Sequence, residues 1–489
     1  MGIFRTNNPL EFDEVDGIVI DETAPAPSIQ GVGTGIAILV GQFERGPENL
    51  LQEPGSIEKI QELYGKSDLF LGNVSLKNKK FSRIKIIRAL DDAAVKGTLI
   101  LDDGGSPTDI VRVDALFKGL YGNSITVTVE AGTTTGRKYT FKDTSANAVL
   151  LDEVFDDVVL IGIGDQAALD LIFGNSKLVK VVFISDAAEP ENIAATPLAT
   201  GSDGTIDDTD YETAIKISEA ENSGNILFLD EYNSSRNVFL KTSMGVTQDK
   251  IALLGGAEGD SVATAVAAVA TLRDVAGRLI YAFNWIENLV GGVKTFVSPT
   301  SFYASILSVT SPHIDPAFAG NAEFLFGVIS LKQQLTRPNF IALKDAGISS
   351  FEFDNDIGFK IKSGIVTQII NSSKLTVLRR RMADFLTNSI GRFLKVYQND
   401  VNSQVNRVAN KGAILDFVRI QEGLGILPKD SEVQGGNAKI VDIDILNTDG
   451  SIAAGKFIIQ YKQRIFSSMR FIVLRAEIGE SVVVTEGES

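Results

Sequence analysis

The pattern of apolar positions changes its period several times along this chain. Gly35-Ile36-Ala37-Ile38-Leu39-Val40-Gly41 is continuously apolar, which predicts a strand covered on both faces. A loop with Gly46 and Pro47 follows. Ser56 then caps a helix predicted to run to Leu63, with Gly65 stopping it. Lys85–Arg88 begins another strand. From Tyr211 onward, short apolar runs alternate with helical stretches. The predicted strands are Ile226–Leu229, Ile251–Gly255, Leu279–Phe283 and Thr295–Val297. Between the second and third, Val262, Val266, Val269, Leu272 and Val275 recur at helical spacing on an Ala-rich scaffold. Buried strands alternating with helices predict a mainly parallel sheet.

The stretch 97–204 has a different texture. Short strand-like pieces recur at Thr98–Leu101, Ile110–Val113, Ser124–Glu130, Lys138–Lys142, Val158–Ile161 and Val179–Ile184, separated by Gly, Asn and Asp turns. It reads as a β-rich insertion. Residues 374–424 read as two helices. Leu375, Leu378, Met382, Phe385, Ser389, Phe393 and Tyr397 give the first an apolar stripe, with Arg379, Arg380 and Arg381 mostly on its wet side. Val401, Val405, Val408, Leu415 and Val418 mark the second, ending before Gly425. Partial alternation returns in Lys456–Lys462 and Met469–Arg475, and a last apolar run stands at Val482–Val484.

These boundaries divide the chain into an N-terminal arm (1–30), an α/β core (31–96 with 205–350), the β-rich insertion (97–204), an α+β C-terminal domain (351–475) and a C-terminal arm (476–489). Pro25 and Pro27 hold the first arm extended and keep it out of a central strand.

The chain has 489 residues, a length that suits about three domains. Cysteine is absent, which excludes disulfides and thiolate metal sites, and His313 is the one histidine. The N-terminus, MGIFRTNNPLEF, lacks the order of a signal peptide. The longest apolar stretch, Ser261–Ile286, is broken by Arg273, Asp274 and Arg278, so no membrane span is expected. A net charge of −16 argues against wrapping nucleic acid. The charge is unevenly placed. Asp143–Asp210 holds 14 acids and two bases, Lys374–Arg419 nine bases and three acids, and Lys456–Arg475 five bases and no acid. An acidic middle and a basic C-terminal region suit different partners.

Motifs for chemistry fail on inspection. The GVGTGIA at Gly31 precedes its strand, whereas a dinucleotide fingerprint follows one. Tyr64-Gly65-Lys66-Ser67 resembles the end of a phosphate loop, but its first glycine would fall at Ile60. Asp354-Asn355-Asp356 with Gly358 has the wrong glycine offset for an EF-hand. The pairs Asp91–Asp92, Asp102–Asp103, Asp156–Asp157 and Asp207–Asp208 sit in turn-like sequence. His313 follows Pro312 in a loop-like stretch and reads as structural. Neither catalysis nor a cofactor is expected.

The order of segments resembles the contractile tail sheath proteins of contractile-tailed phages and related injection systems. GIAILVGQFERGP with SIEKIQELYG is similar to that family's opening strand, Gly-Pro loop and short helix. ALFKGLYGNSITVTV resembles its apolar stretch ending in Gly-Asn before a strand, and LATGSDGTIDDTDY its Gly-rich acidic segment. KDAGISSFEFDNDIGFKIKSGIVTQ and LRRRMADFLTNSIGRFLKVYQND resemble the run before the C-terminal helices and the helix that follows. Phe283-Asn284-Trp285 departs from the family's Pro–Trp context, and AFAGNAEFLFGVISLKQQL only partly represents its Ala–Gly-rich helix.

The resemblance implies a fold with a mainly parallel α/β core, part of which is called subtilisin-like in that family, and a structural role. Subunits would stack as rings or a helix around an inner tail tube, meet baseplate and tail terminator proteins, and contract to drive the tube through a target envelope. The particle would be a virion tail or injection device, assembled in a cytoplasm. The arms of sheath subunits complete neighbours' sheets. Gly17, Ile18, Val19, Ile20 and Ser481, Val482, Val483, Val484, Thr485 are the expected exchanged strands. The charge map places Arg379, Arg380, Arg381, Lys395 and Lys411 against an acidic tube. Two competing readings are an α/β hydrolase-like or nucleotide-binding enzyme, with a pocket near Leu229–Tyr232 or Gly255–Asp260, and an adhesin or capsid-like shell protein.

Overall fold

The structure is a computed structural model. It describes residues 2–5, 17–20, 29–65, 81, 83–105, 108–145, 148, 150–221, 224–274, 276–290, 293–325, 328–368 and 375–467. Two short strands come first, β1 (Gly2–Arg5) and β2 (Gly17–Ile20). The apolar run predicted to be a buried strand is β3 (Ile36–Gly41), buried along its whole length. Ser56 caps α1 (Ile57–Tyr64), with Gly65 at its end, and β4 (Arg83–Arg88) pairs in parallel with β3.

The insertion carries two antiparallel sheets of its own. In one, β5 (Thr98–Asp102), β6 (Asp109–Ala115) and β10 (Val179–Phe183) run in the order β10-β6-β5. In the other, β7 (Ile125–Ala131), β8 (Arg137–Asp143), β9 (Glu153–Val158) and β11 (Ile193–Pro197) run in the order β11-β7-β8-β9. The strand expected at Val158–Ile161 lies earlier, as β9, and beyond it Leu160 is buried while Val159 and Ile161 are exposed. Helix α2 (Gln166–Phe173) was not evident from sequence. It buries only Leu169 and Phe173, against Tyr139 and Phe141 of β8.

The chain then builds the rest of the core. Helix α3 (Asp208–Glu219) opens with a capping box between Asp207 and Asp210, and leads to β12 (Ile226–Leu229). Helix α4 (Ser234–Thr247), β13 (Ile251–Leu254), α5 (Val262–Leu272) and β14 (Leu279–Phe283) follow. At Asn284 the backbone takes φ 83° and leaves the sheet. The next strands, β15 (Ile286–Val290), β16 (Val293–Val297) and, after α6 (Pro299–Val309), β17 (Val328–Leu331), form a separate three-stranded sheet. The strand expected at Thr295–Val297 therefore exists but is not part of the main sheet. Helix α7 (Arg337–Ala346) returns the chain to it as β18 (Ile348–Asp354) and β19 (Gly358–Ile361).

The main sheet has seven strands in the order β19-β18-β14-β13-β12-β3-β4, parallel except for β19. Alternate residues of β3 serve the two faces. Ala37 and Leu39 pack with α1 and α6, while Ile38 and Val40 pack with α3, α4, α5 and α7. The sheet runs on to Ile361, beyond the boundary expected at 350, because β18 pairs with β14 and carries β19 as a hairpin.

Helices α8 (Val377–Leu394) and α9 (Gln404–Gly423) pack together through Leu378, Met382, Leu386, Ala413, Phe417 and Val418. A small antiparallel pair, β20 (Lys439–Asp442) and β21 (Gln460–Gln463), follows. The strand expected at Met469–Arg475 lies outside the described residues.

Candidate functional site

The candidate exchange strands come first. Residues Gly17–Ile20 are extended, as β2, and pair in parallel with β1 in the register Gly2↔Gly17 to Arg5↔Ile20. This pair joins none of the other sheets among the described residues. Two strands alone are marginal in water; three or more, or a packed face, give independent stability. The second set, Ser481 to Thr485, lies outside the described residues. The β20–β21 pair is also two-stranded, so both its outer edges carry unpaired backbone groups among the described residues. Lys462 and Arg464 are exposed beside it.

The five expected tube-facing bases separate into two groups. Lys395 is exposed and Lys411 half-buried, and Arg379 donates to the Ser467 hydroxyl. Arg380 is half-buried and bonds Asp384 Oδ1 at 2.6 Å. Arg381 is not on the wet side. It is 3% exposed and donates to the carbonyls of Leu307 and Thr310 at 2.6 and 2.8 Å, at the end of α6. Those carbonyls have no partner within their own helix, and a guanidinium suits the negative end of its dipole. Burial brings the Arg381 pKa down to about 10. Arg381 is buried because α8 is covered on two adjacent sides. Leu378, Met382, Leu386 and Ile390 face α9, and Val377 meets the core beside the sheet. Arg381 and Asp384 are also buried.

A buried ion cluster fixes that second side. Arg278, at the start of β14, donates to both carboxylate oxygens of Asp384 at 3.0 and 3.1 Å. A paired fork of this kind orients both groups as well as attracting them.

The insertion is held to the core in the same way. Arg45, in the loop after β3, donates to Asp143 Oδ2 at 3.1 Å and to the Tyr121 hydroxyl, both in the insertion. It also donates to the carbonyls of Gln61 and Glu62 at the end of α1. Tyr121 in turn donates to Asp143 at 2.7 Å. Arg88, at the end of β4, donates to the carbonyls of Phe43, Gly46 and Lys118 and pairs with Asp203 at 3.5 Å. The guanidiniums of Arg45 and Arg88 are each 1% exposed.

At the two regions expected to hold an enzyme's pocket, the polar groups are bonded to one another or there is little space. Near Leu229–Tyr232, the Asp230 carboxylate accepts from Tyr211 Oη, Gln42 N and Glu231 N, each at 2.7 Å. The Tyr232 hydroxyl accepts from Leu229 N. Burial raises the Asp230 pKa to about 6. Beside Gly256–Asp260 there is about 10 Å³ of space, room for one water. A wider groove of about 500 Å³ lies between β17 and β18, lined by Phe340, Phe351, Phe353 and Phe359. Its carboxylate, Glu352, is paired with Lys362 at 2.9 Å. His313 has no carboxylate partner among the described residues, and burial followed by Arg381 lowers its pKa. No cluster of three His, Asp or Glu able to hold a metal occurs among the described residues. No helix among them is long and apolar enough to cross a membrane.

No protein-family model matches this sequence, and none of the curated proteins matches it. Solved structures do. A sheath tail protein from Desulfitobacterium hafniense superimposes with a TM-score of 0.62 at 15% identity, over 92% of this chain and 100% of that one. A sheath tail protein from Listeria innocua gives 0.61 at 16% identity, over 85% and 90%. The helical sheath of the anti-feeding prophage, in its contracted state, gives 0.53 at 14% identity, over 95% and 99%. At these identities it is the architecture that is shared, and this chain has the fold of the tail sheath proteins.

Proposed function

We propose that this chain is the structural subunit of a contractile tail sheath. Copies polymerise as stacked rings or a helix around an inner tube, bounded by baseplate and terminator proteins, and contract to drive the tube through an envelope. The α/β core corresponds to the part that sheath proteins share under the name subtilisin-like, without a protease's residues. The observation that carries the reading is the shared fold across 92% of this chain and the whole of a sheath tail protein. The unpaired backbone edges of two isolated strand pairs support it, since a homopolymer can cover both.

In this reading β2 and Ser481–Thr485 complete sheets in adjacent copies, and the edges of β20–β21 are the open places to receive them. The N-terminal segment 1–28 carries six acids and one base, which complements the exposed Lys462 and Arg464 beside β21. The acidic insertion lies outside and the basic C-terminal helices lie toward the tube, with Arg379, Arg380, Lys395 and Lys411 on that side. The particle is a virion tail or an injection device, assembled in a cytoplasm, and the chain is not an enzyme.

Negative-stain microscopy of the purified chain tests the reading. Tubes or stacked rings are expected, and dispersed small particles would refute it. Deletion of Glu480–Ser489 tests the exchange: sheaths should shorten or fail to form, and sheaths of normal length and stability would rule the C-terminal arm out.

A further inference from the structure

We propose that a single water molecule is bound between Arg381 and Asn225, and that it joins helix α8 to the leading ends of the parallel strands. The inference stands on the packing of one copy and does not depend on the sheath reading.

Arg381 is satisfied on one side only. Its Nη2 donates to the carbonyls of Leu307 and Thr310. Its Nη1 is buried and has no hydrogen-bond partner among the described residues. Asn225 stands immediately before β12, and its Oδ1 is likewise buried without a partner among the described residues. A buried polar atom left unpaired costs its full desolvation, so two of them side by side call for a common partner. Both side chains line one recess of about 10 Å³, together with Thr34, Asp249 and Asp384. A recess of that size holds one water.

Neither group is free to close the gap alone. Asn225 N donates to Ile36 O at 2.9 Å, and its carbonyl accepts from Ile251 N at 2.9 Å. Its backbone is therefore pinned between β3 and β13. The guanidinium of Arg381 is a rigid fork. Swinging Nη1 toward Asn225 would pull Nη2 off the two carbonyls at the end of α6. A donor and an acceptor fixed beyond direct reach, on one small recess, are the setting for a bridging water.

The lining selects water over an ion. A cation would meet the Arg381 guanidinium, with Arg278 and Arg380 close by on Asp384. An anion would meet the carboxylates of Asp249 and Asp384 and an amide oxygen that carries no proton. Water accepts from Nη1 and donates to Oδ1. Its second proton goes to a carboxylate of the lining, which gives the three bonds usual for a buried water.

The test is a crystal structure of the full-length chain that resolves ordered water, from crystals grown in sodium bromide. One density peak is expected at roughly 2.7–3.2 Å from both Arg381 Nη1 and Asn225 Oδ1, without anomalous signal. An anomalous bromide peak there would overturn the proposal in favour of an anion. A direct Arg381–Asn225 hydrogen bond, or a recess without density, would overturn it as well. The variants Asn225→Leu and Arg381→Met, alone and combined, give a second readout in thermal melts. Asn225→Leu should lower the melting temperature of the parent more than that of Arg381→Met, which has no donor left to strand. Equal shifts in the two backgrounds would count against the bridge. If Arg381→Met does not fold, the crystal measurement decides by itself.

Discussion

Arg278 and Asp384 meet through two parallel hydrogen bonds of 3.0 and 3.1 Å, and this buried pair joins the C-terminal helices to the main sheet. Arg278 stands at the start of β14, and Asp384 stands midway along α8, bracketed by Arg380 one turn earlier. Two cations and one carboxylate leave no room for losing the acid.

Asp384→Ala should therefore destabilise the chain by roughly 3–5 kcal/mol, because it leaves two guanidiniums without their anion. Urea unfolding of the purified chain measures it. The double variant Arg278→Met with Asp384→Leu should recover much of that loss, since well-packed apolar replacements of a buried pair are often neutral.

Arg45→Met should destabilise the junction of core and insertion. It leaves Asp143 and Tyr121 with one another, and strips the end of α1 of its side-chain donors. The expected cost is again roughly 3–5 kcal/mol for a buried pair broken on one side. Hydrogen exchange should show the loss of protection centred on β8, α1 and the loop after β3. A uniform loss over the whole chain would contradict the local role of this arginine.

Asp230 gives the core a pH dependence. Its ordinary pKa is 3.8 and burial raises it to about 6, against the hydrogen bonds from Tyr211 and Gln42 that favour the ionised form. A native pKa above the unfolded one means that the folded chain holds the proton more tightly. The stabilising effect is thus complete below about pH 4 and is lost as pH rises through about 6, by about 3 kcal/mol in all. Thermal melts of Asp230→Asn against the parent between pH 4 and 7 should show a shallower decline in the variant. Parallel curves would place the proton elsewhere.

Much of the core was legible because its signals are local. The continuous run at β3 marks a strand with helices on both faces, and the Ala-rich spacing of Val262 to Leu272 marks α5. The failures have physical causes. Thr295–Val297 is as apolar as a sheet strand, and nothing in it reveals that Asn284 has already turned the chain away. Helix α2 is too short and too acidic at Asp170 to show a full helical stripe, and only Leu169 and Phe173 anchor it.

What the sequence determined by itself is the class of element at most points of the α/β core, the lack of cysteine and of a phosphate-loop motif, and the sign of charge in each region. These follow from periodicity and residue type, which act over a few positions. Only the tertiary structure decided which side of a helix meets what. Arg381 and Val405 reverse the simple rule that charge lies outside and apolar lies inside. Arg381 is buried because two carbonyls at the end of α6 receive it, and Val405 is exposed because no element of this chain packs on that side of α9 among the described residues. Both outcomes depend on partners distant in sequence, 74 and 71 residues away for Arg381, and periodicity carries no information about them.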